Sequence, residues 1–272
     1  AARSNLLRIG REDLLDRLKQ EGVRAEAGSY TPWSVHIRDL KQPVIELDSY
    51  KQGLFYLQNE GSMLAAALLE PPPGGLVYDL GAGVGGKSTH VAEMTGDRGR
   101  VIAVERHSHK LELLKANCRR LGINHVTPLQ SDILQLEPDL PQAERVLLDA
   151  PCSGWGVLNR RADARWRLSQ EEVKNLPQLQ FRLLQAAAGL LKPDGLLLYS
   201  TCTFNPAENE QVVARFLKEA PFAVQGFAEK ISFFPLTAED IEAARRGCLT
   251  LRPGRYQCDG MFYALLRRLG HE

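Results

Sequence analysis

The feature that most constrains the fold is a regular alternation of short apolar runs and helical segments after residue 75. The apolar runs are LVYDL, RVIAVE, HVTPLQ, RVLLD and GLLLYS, and helical patterns such as HKLELLKANCRRLG and ENEQVVARFLKEA accompany them. Strands that alternate with helices form a parallel sheet with helices on both faces. The sequence therefore predicts an α/β fold for this part of the chain.

A stretch rich in proline and glycine, PPPGG, predicts a domain boundary at residues 71–75. We expect residues 1–70 to form a small α+β subdomain, in which REDLLDRLKQEG is an amphipathic helix and WSVHIRDL a strand. Residues 71–272 form the larger predicted domain. The chain opens directly in SNLLRI, which has the pattern of a strand, and this start suggests that an upstream segment is missing.

The composition limits the kinds of site that the chain can carry. The net charge is +1, so a binding site for a polyanion has to be a local patch. No apolar run reaches the roughly 18 residues of a membrane span. The chain has five cysteines and no CxxC pair, which favours free thiols, a reducing compartment such as the cytoplasm, and no zinc site.

Polar residues stand where the predicted strands end. In an open parallel sheet, ligands bind outside the carboxyl ends of the strands. Five strands end in a side chain that can bind a ligand or react: Asp79, Glu105, Asp132, Asp149 and Cys202. This coincidence places the candidate site at one edge of the sheet.

A glycine-rich loop, GAGVGGK, joins the first strand of the sheet to its helix. Glycines permit a tight turn and a close approach of the backbone to a ligand. Glu105, at the end of the next strand, suits two ribose hydroxyls, as in folds that bind NAD or S-adenosylmethionine. The letters from Gly81 to Ser88 also satisfy the P-loop pattern, although Asp79 would then face phosphates.

Two further strand-end residues have an ordinary structural alternative. Asp132 suits the amino group of adenine, or it caps the helical turn ILQL. Cys152, in DAPCSGWG, is a small buried residue, or it lies beyond the strand, because Pro151 and Gly154 predict a turn. Cys202 follows the next strand, and a parallel neighbour would bring the two thiols together.

The chain resembles the Sun-type (Nop/Sun) RNA cytosine-5 methyltransferases over nearly its whole length. The segments that carry the resemblance are DAPCSGWG, STCTFNPAENE, GSMLAAALLEPPPGG and CDGMFYALLRR, and DARWRLS is most similar to the bacterial small-subunit rRNA branch, often called Fmu or Sun protein. The family usually has Cys-Ala-Ala-Pro-Gly-Gly-Lys in its cofactor loop. Here the loop is Gly81-Ala82-Gly83-Val84-Gly85-Gly86-Lys87, which keeps the last glycines and the lysine.

The resemblance implies a Rossmann-like class I methyltransferase that uses S-adenosylmethionine. It implies that Cys202 attacks carbon 6 of the cytosine and that Asp149 holds the exocyclic amine and N3. Cys152 would release the enzyme after methyl transfer, and Lys87 would orient Asp149 and favour a thiolate. The expected cofactor site comprises the loop from Gly81 to Lys87 with Glu105, Asp132 and Asp149.

The resemblance also implies an RNA partner, with small-subunit rRNA preferred and residues 1–70 as an RNA-binding subdomain. Phosphate contacts would come from local arginines, although an ordinary surface position is an alternative for each. The candidates are Arg160, Arg161, Arg165, Arg167, Arg3, Arg8, Arg11, Arg252 and Arg255. Trp155 and Trp166 either stack on bases or fix the loop, and Cys118, Cys248 and Cys258 are expected to pack. The competing interpretations are a non-catalytic RNA-binding factor on the same fold and a nucleotide-dependent enzyme of another class.

Overall fold

The structure is a computed structural model that describes residues 1–96, 98–160 and 169–270. Its first part is a four-stranded antiparallel sheet in the order β2-β3-β1-β4. The strands are β1 (Ala2–Ser4), β2 (Arg24–Ala27), β3 (Ser34–Asp39) and β4 (Phe55–Leu57), and the helices are α1 (Arg11–Gln20) and α2 (Asp48–Lys51). Leu14 and Leu18, one helical turn apart, bury the apolar face of α1 against this sheet. The strand predicted for SNLLRI is wrong beyond its first residue, because β1 ends at Ser4 and Asn5 turns the chain by accepting a hydrogen bond from the Leu7 amide at 3.1 Å.

The second part is an eight-stranded sheet in which β10, β12, β9, β8, β5, β6 and β7 follow one another and β11 also pairs with β12. Its strands are β5 (Leu76–Leu80), β6 (Arg100–Glu105), β7 (Val126–Gln130), β8 (Ala143–Asp149), β9 (Leu191–Thr201), β10 (Phe222–Val224), β11 (Cys248–Leu251) and β12 (Met261–Arg268). Strands β5 to β9 are parallel, and β12 runs antiparallel to β9. The predicted parallel α/β sheet is confirmed.

Helices cover both faces of the large sheet. They are α3 (Glu60–Leu69), α4 (Gly86–Met94), α5 (Ser108–Leu121), α6 (Gln170–Gly189), α7 (Glu210–Glu219) and α8 (Ala238–Arg245). Alternate strand residues point to opposite faces, so Val77 packs in the cluster with α3 to α5, and Tyr78 in the cluster with α6 and α7. Helix α6 is continuous through Pro177 and begins with a capping box between Ser169 and Glu172.

Helix α3 joins the two parts of the chain. Our domain prediction placed this helix in the N-terminal subdomain, before the boundary at residues 71–75. In the structure its leucines Leu64, Leu68 and Leu69 are buried in the same cluster as the large sheet. Glu60, its first residue, accepts hydrogen bonds from the Tyr30 and Thr31 amides of the N-terminal part at 2.8 and 2.9 Å. The helix therefore contacts both sheets.

A buried arginine fastens the N-terminal sheet to the large one. Arg3, in β1, has no exposed surface, and its guanidinium donates to both carboxylate oxygens of Glu93 in α4, at 2.7 and 3.1 Å. It also donates to the Thr89 hydroxyl at 3.0 Å and to the Gly86 carbonyl at 2.9 Å. The prediction that Arg3 contacts phosphate is wrong, because its charge is used inside the protein to hold β1 against α4.

Candidate active site

The loop after β5 has a backbone that requires glycine. Gly81 and Gly85 have φ of +84° and +91°, in the left-handed region that side chains disfavour. A Cβ at Gly81 would also lie 2.5 Å from the Asp149 carbonyl oxygen. The Gly81 and Ala82 amides both donate to the Val104 carbonyl, each at 3.0 Å. The loop is thus held close against the ends of β6 and β8.

A cavity of about 220 Å³ lies beside this loop. Four of the predicted cofactor residues line it, namely Gly81, Glu105, Asp132 and Asp149, together with apolar side chains such as Ile133, Leu179 and Leu183. The other loop residues, from Ala82 to Lys87, shape the turn or point elsewhere: the Val84 carbonyl, for example, accepts from Asn117 at 3.0 Å. Sites for small molecules are mostly apolar with a few polar groups, and a cavity with apolar side chains and carboxylates can hold the base and the ribose hydroxyls of a nucleoside.

Two of the three carboxylates that line the cavity are held by backbone amides. Glu105 accepts from the Gly83 amide at 3.1 Å and from the His107 amide at 3.0 Å. Asp132 accepts from the Leu134 amide at 2.9 Å, so it does cap the helical turn that follows β7. Asp132 also lines the cavity. Its role as a cap and the predicted contact with adenine are compatible, because the cap uses only one of its two carboxylate oxygens.

A further carboxyl group, that of Asp79, lies near the end of β5, just before the loop. Asp79 is fully buried, and one of its oxygens accepts from the Ser88 hydroxyl at 2.5 Å. Its other oxygen has no hydrogen-bond partner within the part of the chain that the structure describes. Burial raises the pKa of Asp79 to about 6. A buried, unpaired carboxyl oxygen beside a glycine cradle fits an amino-acid ammonium group, and with the nucleoside cavity the residues fit S-adenosylmethionine.

Lys87 and Asp149 form an ion pair at the ends of α4 and β8. The Lys87 ammonium lies 2.5 Å from one Asp149 oxygen, and the Ser200 hydroxyl donates to the other at 2.9 Å. Burial is the largest single influence on the pKa of Lys87 and lowers it, but the charge of Asp149, the hydrogen bond to Asp149 and the charge of Asp79 together outweigh burial, and the pKa is raised overall. Lys87 therefore remains charged and contacts one oxygen of the Asp149 carboxyl group.

The two strand-end cysteines meet. Strands β8 and β9 are parallel neighbours, with Asp149 opposite Ser200, so both chains leave the sheet side by side. The Cys152 and Cys202 sulfurs are 3.1 Å apart, and the Cys202 amide donates to the Cys152 sulfur at 3.3 Å. The hydrogen bond to Cys202, together with burial, raises the pKa of Cys152 well above its ordinary value. Two thiols this close are a pair in which one group keeps its proton when the other ionises.

A buried glutamate, to which the sequence analysis assigned no role, links the two cysteine loops. Glu208 is fully buried and accepts from the Ser153 amide at 2.8 Å, the Gln180 side chain at 3.0 Å and the Asn205 side chain at 2.9 Å. Ser153 and Thr203 are joined directly through their hydroxyls at 2.9 Å. The signal in the sequence was the acidic ENE that follows STCTFNP at the end of an apolar strand.

Most of the predicted phosphate-binding arginines that the structure describes contact acidic side chains or carbonyl groups of the protein itself. Arg160 pairs with Asp259 at 3.1 Å near the cysteine loops. Arg255 pairs with Asp240 at 2.9 Å and with Glu239. Arg11 pairs with Glu12, Arg8 donates to the Gln52 carbonyl, and Arg252 is exposed. Arg161, Arg165, Arg167 and Trp166 lie outside the described residues.

The other three cysteines are not part of the sulfur pair. Cys118 and Cys258 are buried and Cys248 is half-buried, and all three are in the apolar clusters on the large sheet. Burial raises the pKa of Cys248 to about 11 and that of Cys258 to about 12. They match the expectation of packing residues. Across the described ranges, no helix has both the length and the apolar composition that crossing a membrane requires.

The sheet order, the glycine cradle and the carboxylates around the cavity define a class I S-adenosylmethionine-dependent methyltransferase fold. The crystal structure of PH0851 superimposes with a TM-score of 0.89 at 32% identity, over 98% of this chain and 59% of that one. A methyltransferase homologue from Pyrococcus horikoshii superimposes with a TM-score of 0.82 at 27% identity, over 98% of this chain and 86% of that one.

The family described as 16S rRNA methyltransferase RsmB/F matches residues 66–267, and the chain belongs to this family. A probable ribosomal RNA small subunit methyltransferase B from Synechocystis is 32% identical over 98% of this chain and 59% of its own length. The human tRNA (cytosine(72)-C(5))-methyltransferase NSUN6 is 40% identical over 64% of this chain and 39% of its own length. The chain thus spans a little over half the length of the first of these relatives. The resemblance seen in the sequence is confirmed at the level of the family.

Proposed function

We propose that this chain is an RNA cytosine-5 methyltransferase that uses S-adenosylmethionine, with small-subunit rRNA as the preferred substrate. The observation that carries the proposal is the pair of thiols, Cys152 and Cys202, 3.1 Å apart beside the Asp149 carboxylate. Membership in the RsmB/F family supports methyl transfer to rRNA, and the name of the human relative supports carbon 5 of cytosine as the acceptor.

The chain's own residues would hold the cofactor at the edge of the sheet. The backbone of the Gly81 loop approaches it closely, Glu105 takes the ribose hydroxyls, and Asp132 takes the adenine amino group. When bound, S-adenosylmethionine supplies a methyl group on a sulfonium, an electrophile that carbon 5 of an unmodified cytosine is too weakly nucleophilic to attack. The loop departs from the usual family pattern, but the left-handed turns at Gly81 and Gly85 support cofactor binding.

Cys202 is the nucleophile in this proposal. Its sulfur forms a bond to carbon 6 of the cytosine, and the electrons of the 5,6 double bond move to carbon 5 and the ring, which makes carbon 5 nucleophilic. Asp149 accepts a hydrogen bond from the exocyclic amine, and N3 takes up a proton that it shares with the Asp149 carboxyl group, which offsets the negative charge that the attack puts on the ring. The ion pair with Lys87 keeps Asp149 in place for this contact. The hydrogen bond with Cys202 and burial raise the pKa of Cys152, so Cys152 keeps its proton while Cys202 attacks.

Cys152 acts after methyl transfer. The hydrogen bond with Cys202 is the largest cause of its raised pKa and burial is the second, and the bond between the Cys202 sulfur and carbon 6 removes the charge of the Cys202 thiolate from beside Cys152. Cys152 can then lose its proton to solvent and remove the proton from carbon 5. The electrons of that C–H bond restore the 5,6 double bond, the bond between sulfur and carbon 6 breaks, and Cys202 leaves as a thiolate.

The test is to incubate the Cys152→Ala variant with S-adenosylmethionine and small-subunit rRNA, and to look for a covalent protein–RNA adduct on a denaturing gel. The adduct should accumulate in Cys152→Ala and be absent from the double variant that also carries Cys202→Ala. Cys258→Ala, which removes a buried thiol elsewhere, should behave as the wild type. Full methylation by Cys202→Ala without any adduct would refute the mechanism. RNA binding without S-adenosylmethionine binding in calorimetry would favour a non-catalytic RNA-binding factor.

A further inference from the structure

Two aromatic side chains are exposed beside the thiol pair. Trp155 is 38% exposed and Phe204 is 41% exposed. Their ring centroids are 6.1 Å apart and the ring planes are inclined at 53°. Aromatic rings at 4.5–7 Å are in direct contact. The two rings therefore form one apolar surface, which we call the aromatic platform and which is partly open to solvent.

The aromatic platform belongs to the same two loops as the thiols. Trp155 follows Cys152 in the first loop, and the next residue, Gly156, donates its amide to the Cys202 carbonyl at 2.9 Å. Phe204 is the second residue after Cys202 in the other loop. A nucleotide next to one whose base reaches the thiols would thus meet the aromatic platform.

The backbone under the aromatic platform is fixed. The hydroxyls of Ser153 and Thr203 bond across the two loops, and the Thr203 hydroxyl also accepts from the Asn205 amide at 3.3 Å. On the other side, the Gly260 amide donates to the Gly156 carbonyl at 2.8 Å, and a Cβ at Gly156 would lie 2.3 Å from the Gly260 oxygen. Binding to a surface that is already ordered costs little conformational entropy.

We propose that the aromatic platform binds an unpaired nucleobase of the RNA, the one adjacent to the target cytosine, by stacking. This inference rests on the proposed function and adds a base-binding subsite to it. Proteins that recognise RNA commonly stack unpaired bases on aromatic side chains, and stacking tolerates any base because each has a π face. The base stacks on the outer face of a ring, because the rings are too close to each other to admit a base between them.

The experiment compares two short, fluorescein-labelled single-stranded RNAs of equal charge. One has a single central cytosine with a base on each side, and the other has abasic riboses at both neighbouring positions. Binding is measured by fluorescence anisotropy. The wild type should bind the complete RNA about tenfold more tightly, a difference within the range of stacking energies measured for one base. The Trp155→Ala and Phe204→Ala variants should lose most of this preference, whereas Trp155→Phe should keep it.

The control variant is Phe233→Ala, which removes a ring of similar exposure (37%) that packs on Trp33 in a different part of the molecule. It should retain the preference of the wild type. An undiminished preference in both Trp155→Ala and Phe204→Ala, or equal affinity of the wild type for the two RNAs, would overturn the inference. The adduct assay with Cys152→Ala reports the proposed function separately. A missing adduct with an intact stacking preference therefore counts against the chemistry and not against the aromatic platform.

Discussion

Replacing Glu208 by alanine tests whether one buried carboxyl group holds the two cysteine loops together. The carboxyl group accepts from Ser153 in the first loop, from Asn205 in the second and from Gln180 in α6. Alanine removes all three acceptor contacts and leaves the donors in place. The contacts with Ser153 and Gln180 are buried, whereas that with Asn205 is partly buried, so water can replace only the last readily.

The magnitude follows from the donors that lose their acceptor. A buried donor without a partner costs about 1–3 kcal/mol, so the two buried donors together cost about 2–6 kcal/mol. Water that partly enters the site lowers this cost, and we expect the free energy of unfolding to fall by about 3 kcal/mol. At about 2–4 °C per kcal/mol for a protein of this size, the midpoint of thermal unfolding falls by about 6–12 °C. Glu208→Gln keeps an acceptor oxygen for the Ser153 amide and should cost about 1 kcal/mol.

The assay is denaturant unfolding followed by circular dichroism, with Glu210→Ala as the matched control. Glu210 lies two residues further on, is exposed and accepts only from Thr250 among the described residues, so its removal should change stability by less than about 0.5 kcal/mol. The rate of adduct formation by Glu208→Ala, corrected for the folded fraction, should also fall, because the two sulfurs are no longer held in register. The reasoning is refuted if Glu208→Ala unfolds within about 0.5 kcal/mol of the wild type, the change expected of the surface control.

Three further predictions concern residues outside the thiol pair. Burial lowers the pKa of His90 well below its usual value, so the folded protein holds it neutral. The unfolded chain takes up a proton below about pH 6.5, so stability is complete above that pH and falls below it. In chemical unfolding, the free energy of unfolding of the wild type should fall by about 2 kcal/mol more between pH 7 and pH 5 than that of His90→Leu. The control variant at an exposed histidine, His109→Leu, should match the wild type. Gly81→Ala places a Cβ 2.5 Å from the Asp149 carbonyl oxygen and should weaken S-adenosylmethionine binding about tenfold or more in calorimetry; unchanged affinity would contradict the cradle. Arg3→Met leaves the buried carboxylate of Glu93 unpaired and should lower the free energy of unfolding in urea by about 3–5 kcal/mol. The RNA affinity measured by anisotropy at an equal folded fraction should not change. A variant that is as stable as the wild type but binds RNA weakly would instead support a contact between Arg3 and phosphate.

The large sheet could be predicted because its strands are long and its helices are periodic. The pattern RVIAVE corresponds to β6 residue for residue, and HKLELLKANCRRLG corresponds closely to α5. Strands β10 and β11 and helix α8 were missed. Strand β10 has three residues and β11 has four, and both are stabilised by pairing with β12, a partner that no local pattern reveals.

The candidate site shows the same limit for side chains. The residues at the strand ends could be named from the sequence, because the carboxyl ends of parallel strands always meet at one edge. The burial of Arg3 could not be predicted, because an arginine in a short strand is ordinarily exposed and its partner Glu93 is ninety positions away in the sequence. The three donors on Glu208 were equally hidden, since they come from two loops and a helix that only the tertiary structure brings together.

The meeting of the two thiols depends on strand order, which is a property of the whole sheet. Neighbouring strands lie about 4.8 Å apart, and one intervening strand would increase the separation to about 9.6 Å. That is too far for the contact of 3.1 Å between the Cys152 and Cys202 sulfurs. The register matters as well, because a slip of one residue between β8 and β9 would turn each side chain to the opposite face. The pairing of Asp149 with Ser200 therefore sets both the hydrogen bond that orients the carboxylate and the proximity of the sulfurs. One strand pair thus determines the geometry of the Asp149 carboxyl group and of the two thiols together.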